Sequence, residues 1–356
     1  MTLKGSEGRW LSAVTCWLAD SRDVVQMLKS CSLRRIAKLC TRVICGLATR
    51  SGLSAPFVRN KKKKRGDMLK KVAVVTGSNR GIGLSIVKGL CRRFDGAVYL
   101  TSRNEVEGKS AVDNLNKLGL HPEYHQLDVT DRASVLKFKE HIQKKYGGID
   151  ILINNAGVLP SREYSYESEE NFKTIDVNFK SILIIQELLF PVIRNNGRIL
   201  NISSAFGHLS NIKNKYWIEK LSDKDLSTRV IENFVDWFLE GCRNKTFKKE
   251  DLADDATVAK VALSAATIVQ QRELDKRNIS INSMHPGLVR TDMTTGIGFY
   301  SADEAAKTPI YLVLDAPASL KGAYIWHDGK VLDWYDYNAD YYFKISTVLD
   351  HLQKKV

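Results

Sequence analysis

The chain of 356 residues has no C-x-x-C pair, although it carries six cysteines. Four of them (Cys16, Cys31, Cys40, Cys45) lie near the N-terminus and two (Cys91, Cys242) in the remainder. That distribution supports neither a disulfide framework nor a zinc site, so no metal is expected, and it suits a reducing compartment. No apolar run reaches the roughly 18 residues that a membrane span requires. A short-period repeat is absent, as is any low-complexity segment beyond one lysine run. Acids are scarce at one end only. Residues 1–65 hold 15 Lys and Arg against 3 Asp and Glu, a net of +12, which leaves about +2 of the chain's +14 for residues 66–356. The body is therefore close to neutral, and no nucleic-acid partner is expected for it. With 44% apolar residues the chain can build a substantial core.

Residues 1–67 read as a basic N-terminal extension ending in Lys61-Lys62-Lys63-Lys64-Arg65. Three readings stay open: a targeting segment, a nuclear-type basic cluster, or residues upstream of a start at Met68. From Met68 onward, β-rich apolar runs alternate with helical periodicity, which indicates an α/β fold with a parallel sheet flanked by helices. The strands are expected over 72–76, 97–102, 123–127, 151–154, 198–203, 279–284 and 322–327. Helices are expected over 82–94, 107–118, 132–146, 171–193 and 255–274.

The first strand runs into Thr76-Gly77-Ser78-Asn79-Arg80-Gly81-Ile82-Gly83, after which a helix begins. Glycines allow a tight turn and close approach of backbone to a pyrophosphate, and the free N–H groups at a helix start favour its negative charge. Strand before and helix after raise this string above an ordinary Gly-rich turn. The second strand ends in Ser102-Arg103 rather than in the acid that would hold a ribose 2′-hydroxyl. Arg80 and Arg103 could together grip a 2′-phosphate, so the expected cofactor is NADP(H).

The T-G-x-x-x-G-x-G spacing resembles that of the short-chain dehydrogenases. The resemblance continues through Leu127-Asp128-Val129, Asn154-Asn155-Ala156-Gly157, Asn178, Asn201-Ile202-Ser203-Ser204 and Pro286-Gly287-Leu288-Val289-Arg290-Thr291-Asp292. It covers about 68–334 and leaves 335–356 as an unexplained tail. It implies a doubly wound parallel sheet (Rossmann fold), with Asp128, Asn155, Pro286, Gly287, Val289 and Thr291 joining Gly77, Asn79, Arg80, Gly81, Ile82, Gly83 and Arg103 at the cofactor. Within the family, residues 206–254 resemble the helical insertion before the catalytic helix that marks monomeric NADPH-dependent carbonyl reductases. This implies a monomer.

The family reduces a carbonyl carbon by hydride transfer, and the developing charge on oxygen is met by a proton donor. By resemblance, Ser204 hydrogen-bonds the carbonyl, Asn178 supports a water in the proton path, and Lys260 serves both catalysis and cofactor binding. The family's tyrosine stands four residues before that lysine, on the same helix face, where the ammonium depresses the phenol pKa. Here Ala256 occupies that position, and no tyrosine lies between Trp217 and Phe299. A literal Y-x-x-x-K occurs at Tyr216–Lys220, twelve residues after Ser204, but it leaves seventy residues to Pro286 instead of the thirty from Ala256. Two readings follow: an NADPH-dependent carbonyl reductase acting on aldehydes, ketones or quinones, or an NADP(H)-binding protein that lost its general acid. The expected partner is a small carbonyl substrate. The expected compartment is the cytoplasm, or the mitochondrion if residues 1–67 are a transit segment.

Overall fold

The computed structural model describes residues 70–159, 169–246 and 255–339. The basic extension, the last part of the insertion and most of the tail lie outside the described residues. In chain order the elements are β1 (Val72–Val75), α1 (Gly81–Arg93), β2 (Ala97–Ser102), α2 (Glu105–Lys117), β3 (Glu123–Gln126), α3 (Arg132–Tyr146) and β4 (Ile149–Asn154). They continue with α4 (Glu169–Ile175), a π-helical segment (Asp176–Lys180), α5 (Ser181–Leu189), β5 (Ile193–Ile202), α6 (Lys215–Leu221), α7 (Thr228–Asn244) and α8 (Asp255–Leu274). Last come β6 (Ser280–Met284), α9 (Ala302–Ala305), α10 (Lys307–Leu314), β7 (Tyr324–Ile325) and β8 (Val331–Leu332).

One sheet runs in the order β3-β2-β1-β4-β5-β6-β7-β8. All pairs are parallel except β7 with β8. Strand β1 sits in the middle and all four of its residues are buried, which is why it reads as an unbroken apolar run rather than an alternating one. The winding direction reverses between β1 and β4. Such a switch point opens a crevice at the carboxyl ends of the strands, where α/β sheets bind their ligands.

Local chemistry accounts for the helix limits. Asn104 caps α2 by accepting from the Val106 and Glu107 amides, and Asp131 caps α3 through the Ala133 amide. Gly147 ends α3 in the left-handed conformation. In α7, Ile231, Phe234, Val235, Phe238, Leu239 and Cys242 fall at three- and four-residue spacing and are all buried. They share a core with Val258, Ala259, Val261, Ala262, Ala265, Ala266 and Val269 of α8. Helix α7 therefore packs its apolar face against α8, and each fully buried Phe contributes roughly 1.5–3 kcal/mol of apolar transfer.

Three features depart from the sequence expectation. The helix expected over 171–193 is interrupted by the π segment and closes in a 3-10 turn, Phe190–Val192. Strand β5 begins at Ile193, with a register shift against β4. Strand β8 adds an antiparallel edge that its two residues could not announce.

Candidate active site

The glycine loop leaves β1 and enters α1. Gly77 has φ +58°, and a Cβ there would stand 2.8 Å from the Ala156 Cα. A Cβ at Gly83 would meet Asn155 Nδ2 at 2.4 Å and Ser78 Cα at 2.9 Å. Only hydrogen fits at these points, because the segment after β4 lies directly on the loop. Asn155 Nδ2 donates to the Thr76 and Gly77 carbonyls, both at 3.0 Å, while Thr76 Oγ1 accepts from the Asn155 and Ala156 amides. Asn155 thus acts on the loop itself. Helix α1 has no acid in its first turn and no side-chain cap, and Arg80 occupies its N-cap position. An uncapped, unopposed helix start with a glycine cradle suits a pyrophosphate, so these residues fit a dinucleotide.

Thr291 closes this end of the crevice: its Cγ2 lies 3.5 Å from where a Gly81 Cβ would be. Its neighbour Asp292 lies 3.8 Å from Arg80 across exposed surface. Pro286 follows buried His285, and Gly287 at φ +90° lets the chain pass beside Tyr300 and His327. Val289 is buried and pairs with Tyr300 in a short bridge, and its carbonyl accepts from Thr294 Oγ1 at 2.7 Å. Ile82 is partly buried against the core below the loop. Asp128 accepts from the Thr130 amide and hydroxyl at 3.0 and 2.7 Å, turning the chain after β3. Exposed Arg103 borders an open cleft of about 520 Å³ with Thr130, Phe172, Lys173, Asp176 and Val177.

Further along the crevice Asn178 and Lys260 come together beside the end of β5, the segment that leads to Ser204. Lys260 Nζ donates to the Ile202 carbonyl at 2.8 Å, at the end of β5, two residues before Ser204. A Cβ at Gly157 would lie 3.2 Å from Asn178 Oδ1 and 3.8 Å from Lys260 Nζ, so both groups flank the same backbone. Asn178 is buried and clamped at both ends of its amide: Oδ1 accepts from the Val158 N–H and Nδ2 donates to the Val158 carbonyl, each at 2.9 Å. This clamp sits inside the π segment. There Ser181 N bonds to the Asp176 carbonyl five residues back, and Ser181 Oγ takes the Val177 carbonyl. Desolvation pushes the Lys260 ammonium down to about 8, and no carboxylate among the described residues is bonded to it.

Ser204 is held by its backbone. Its carbonyl accepts from Tyr324 Oη at 2.6 Å, the next amide, Ala205 N–H, donates to His285 Nδ1 at 3.0 Å, and its own Oγ accepts from the Phe206 amide at 3.3 Å. Burial, reinforced by nearby His327, lowers His285 to about 3, so the imidazole is neutral and an acceptor at Nδ1. Sequence reasoning missed both supports. His285 stands directly before the Pro286-Gly287 motif and could have been found there. Tyr324 is 120 residues from Ser204 and gives no local sign of the contact.

The literal Y-x-x-x-K at Tyr216–Lys220 and the turn from Ala256 to Lys260 lie on different helices. Tyr216 is 58% exposed on α6, edge-on to Trp217, with the Lys220 ammonium 5.6 Å from its own ring centre. Lys260 is the lysine at the strand ends, and Ala256 stands one turn before it on α8. Among the described residues no cluster of three or more His, Cys, Asp or Glu could hold a metal, and no helix is long and apolar enough to cross a membrane.

The family model for short chain dehydrogenase matches residues 71–216. Carbonyl reductase [NADPH] 1 of Bos taurus is 34% identical over 276 residues, spanning 74% of this chain and 98% of that protein. Carbonyl reductase [NADPH] 3 of Mus musculus is 35% identical over 262 residues, spanning 69% and 92%. Among solved structures, salutaridine reductase from Papaver somniferum superposes with a TM-score of 0.66 at 29% identity, over 73% of this chain and all of the other. With the reversed sheet order, the glycine loop and full-length relatives at this identity, the chain belongs to the short-chain dehydrogenase family of oxidoreductases.

Proposed function

We propose that the chain binds NADPH and is built to reduce small aldehydes, ketones or quinones, with turnover held low by Ala256. The observation that carries this is the convergence of Lys260, Asn178 and the end of β5 around Gly157. When bound, NADPH supplies the hydride. Gly77, Gly81 and Gly83 with the α1 amides take the pyrophosphate, Arg80 and Arg103 favour a 2′-phosphate, and Asp128 meets the adenine. Around the nicotinamide stand Pro286, Gly287, Val289 and Thr291. Ser204 Oγ donates to the substrate oxygen, and Lys260, beside clamped Asn178, keeps positive charge near the alkoxide that develops.

The proton donor of the family is what the sequence lacks. Absence of a placed donor costs on the order of 10² to 10⁴ in rate, so the same cleft also supports the reading of a dinucleotide-binding protein with little turnover. Helix α7 packs along α8 and removes that surface from any subunit contact, which favours a monomer. Cys91 and Cys242 form no disulfide with each other, and the reducing compartment, such as the cytoplasm, stays the reading that the cysteine pattern of the sequence suggests. The test is fluorescence titration with NADPH, followed by single-turnover oxidation against a quinone and sedimentation of the complex. Saturable binding, slow oxidation and one chain per particle are expected. No binding at millimolar NADPH overturns the proposal, and binding without oxidation leaves the binding-protein reading in its place.

A further inference from the structure

The seam between the glycine loop and α2 carries a carboxylate that the cofactor assignment does not use. Ser78 ties the loop to the end of β2: its amide donates to the Thr101 carbonyl at 2.8 Å, and its Oγ accepts from the Thr101 amide at 3.1 Å. Asn79 is thereby placed beside the β2–α2 connection, where a dinucleotide of this architecture sets the 2′ position of its adenosine ribose. Asn79 Nδ2 donates to Glu107 Oε2 at 2.9 Å, and Asn104 Nδ2 to Glu107 Oε1 at 3.3 Å. Among the described residues no ammonium or guanidinium is bonded to Glu107. Its neighbour Glu105 is different, because Lys109 pairs with it at 2.8 Å along the helix. A role for Glu107 in the first turn of α2 needs no reach to the glycine loop. The opposite cation is also engaged, since Arg80 faces Asp292 at 3.8 Å.

We propose that Glu107 is a cofactor-discriminating residue: its carboxylate, spanning Asn79 and Asn104, opposes a 2′-phosphate and accepts a 2′-hydroxyl, so it narrows the preference for NADPH over NADH. The proposal rests on the reading of this crevice as a nicotinamide dinucleotide site. Arg103 attracts the phosphate from the β2 end, and Glu107 offsets part of that attraction. A phosphate carries close to two negative charges at neutral pH, and repulsion between it and a carboxylate on exposed surface corresponds to about tenfold in affinity at low salt.

Dissociation constants of NADPH and NADH, measured by fluorescence on the unmodified chain, Glu107→Gln and Glu107→Lys, test this without any turnover. Glu107→Gln is expected to raise the NADPH:NADH affinity ratio about tenfold, and Glu107→Lys to raise it further. High salt should compress both gains, because the residue is exposed. A ratio unchanged within twofold in both variants overturns the proposal while leaving dinucleotide binding intact. Equal changes for both cofactors also overturn it, since they assign Glu107 to bracing the loop. An unmodified chain that binds neither cofactor defeats the reading of the crevice itself, and this proposal with it.

Discussion

Lys260→Met isolates the cost of keeping a cation at the strand ends. In the folded chain the ammonium is desolvated and its pKa falls from the ordinary 10.5 to about 8. Between those values the unfolded chain holds more protons than the folded one, so the native state gains stability as pH rises through the window. Below about pH 8 both states are charged and the full penalty applies, about 3 kcal/mol for a shift of this size. By about pH 9.5 the folded lysine is neutral and the remaining penalty is about 1.4 kcal/mol. Methionine carries no charge at either pH. The Ile202 carbonyl loses its partner in the variant at every pH, so that cost cancels in a comparison between two pH values. The stability of Lys260→Met relative to the unmodified chain should therefore drop by about 2 kcal/mol between pH 7 and pH 9.5. Urea unfolding of both proteins at the two pH values reads this directly. A relative stability that stays constant, or that moves in favour of the variant with rising pH, would refute a desolvated ammonium at this site.

Ala256→Tyr sets a phenol one helical turn before Lys260 and is expected to raise single-turnover carbonyl reduction by at least about 10²-fold, whereas Tyr216→Phe, on the exposed face of α6, changes little. Loss of turnover on Tyr216→Phe with no gain from Ala256→Tyr would move the proton donor to the other helix. Gly83→Ala forces a methyl against Asn155 Nδ2 and the Ser78 backbone. It should cost about 1–3 kcal/mol in urea unfolding and weaken NADPH at least about tenfold, and an unchanged dissociation constant would count against the glycine loop as the cofactor cradle.

Much of the architecture is local and could be read from the chain. Strand β2 and helices α3 and α8 fall on their expected limits, because a buried apolar run, the Asp131 cap, Gly147 and a sustained helical pattern act within a few residues. The motifs likewise identify the family, since T-G-x-x-x-G-x-G and Asn154-Asn155-Ala156-Gly157 are short segments whose order along the chain is itself informative. What tertiary structure decided involves partners far apart in sequence. The π segment forms where the Asn178 amide reaches Val158, twenty residues away, and no helical periodicity records that pull. Ser204 is positioned by Tyr324 on β7 and by His285 directly after β6, segments that reach it only once the sheet is assembled. The spacing to Pro286 already favours Lys260 over Lys220, and the fold adds where each ammonium lies. Lys220 lies on α6 beside the exposed Tyr216 ring, while the packing of α8 on β5 brings the Lys260 ammonium to the Ile202 carbonyl. Propensity and capping act over one turn of chain, while a site at a sheet's switch point draws its side chains from segments joined by burial, and that burial is set by the whole core.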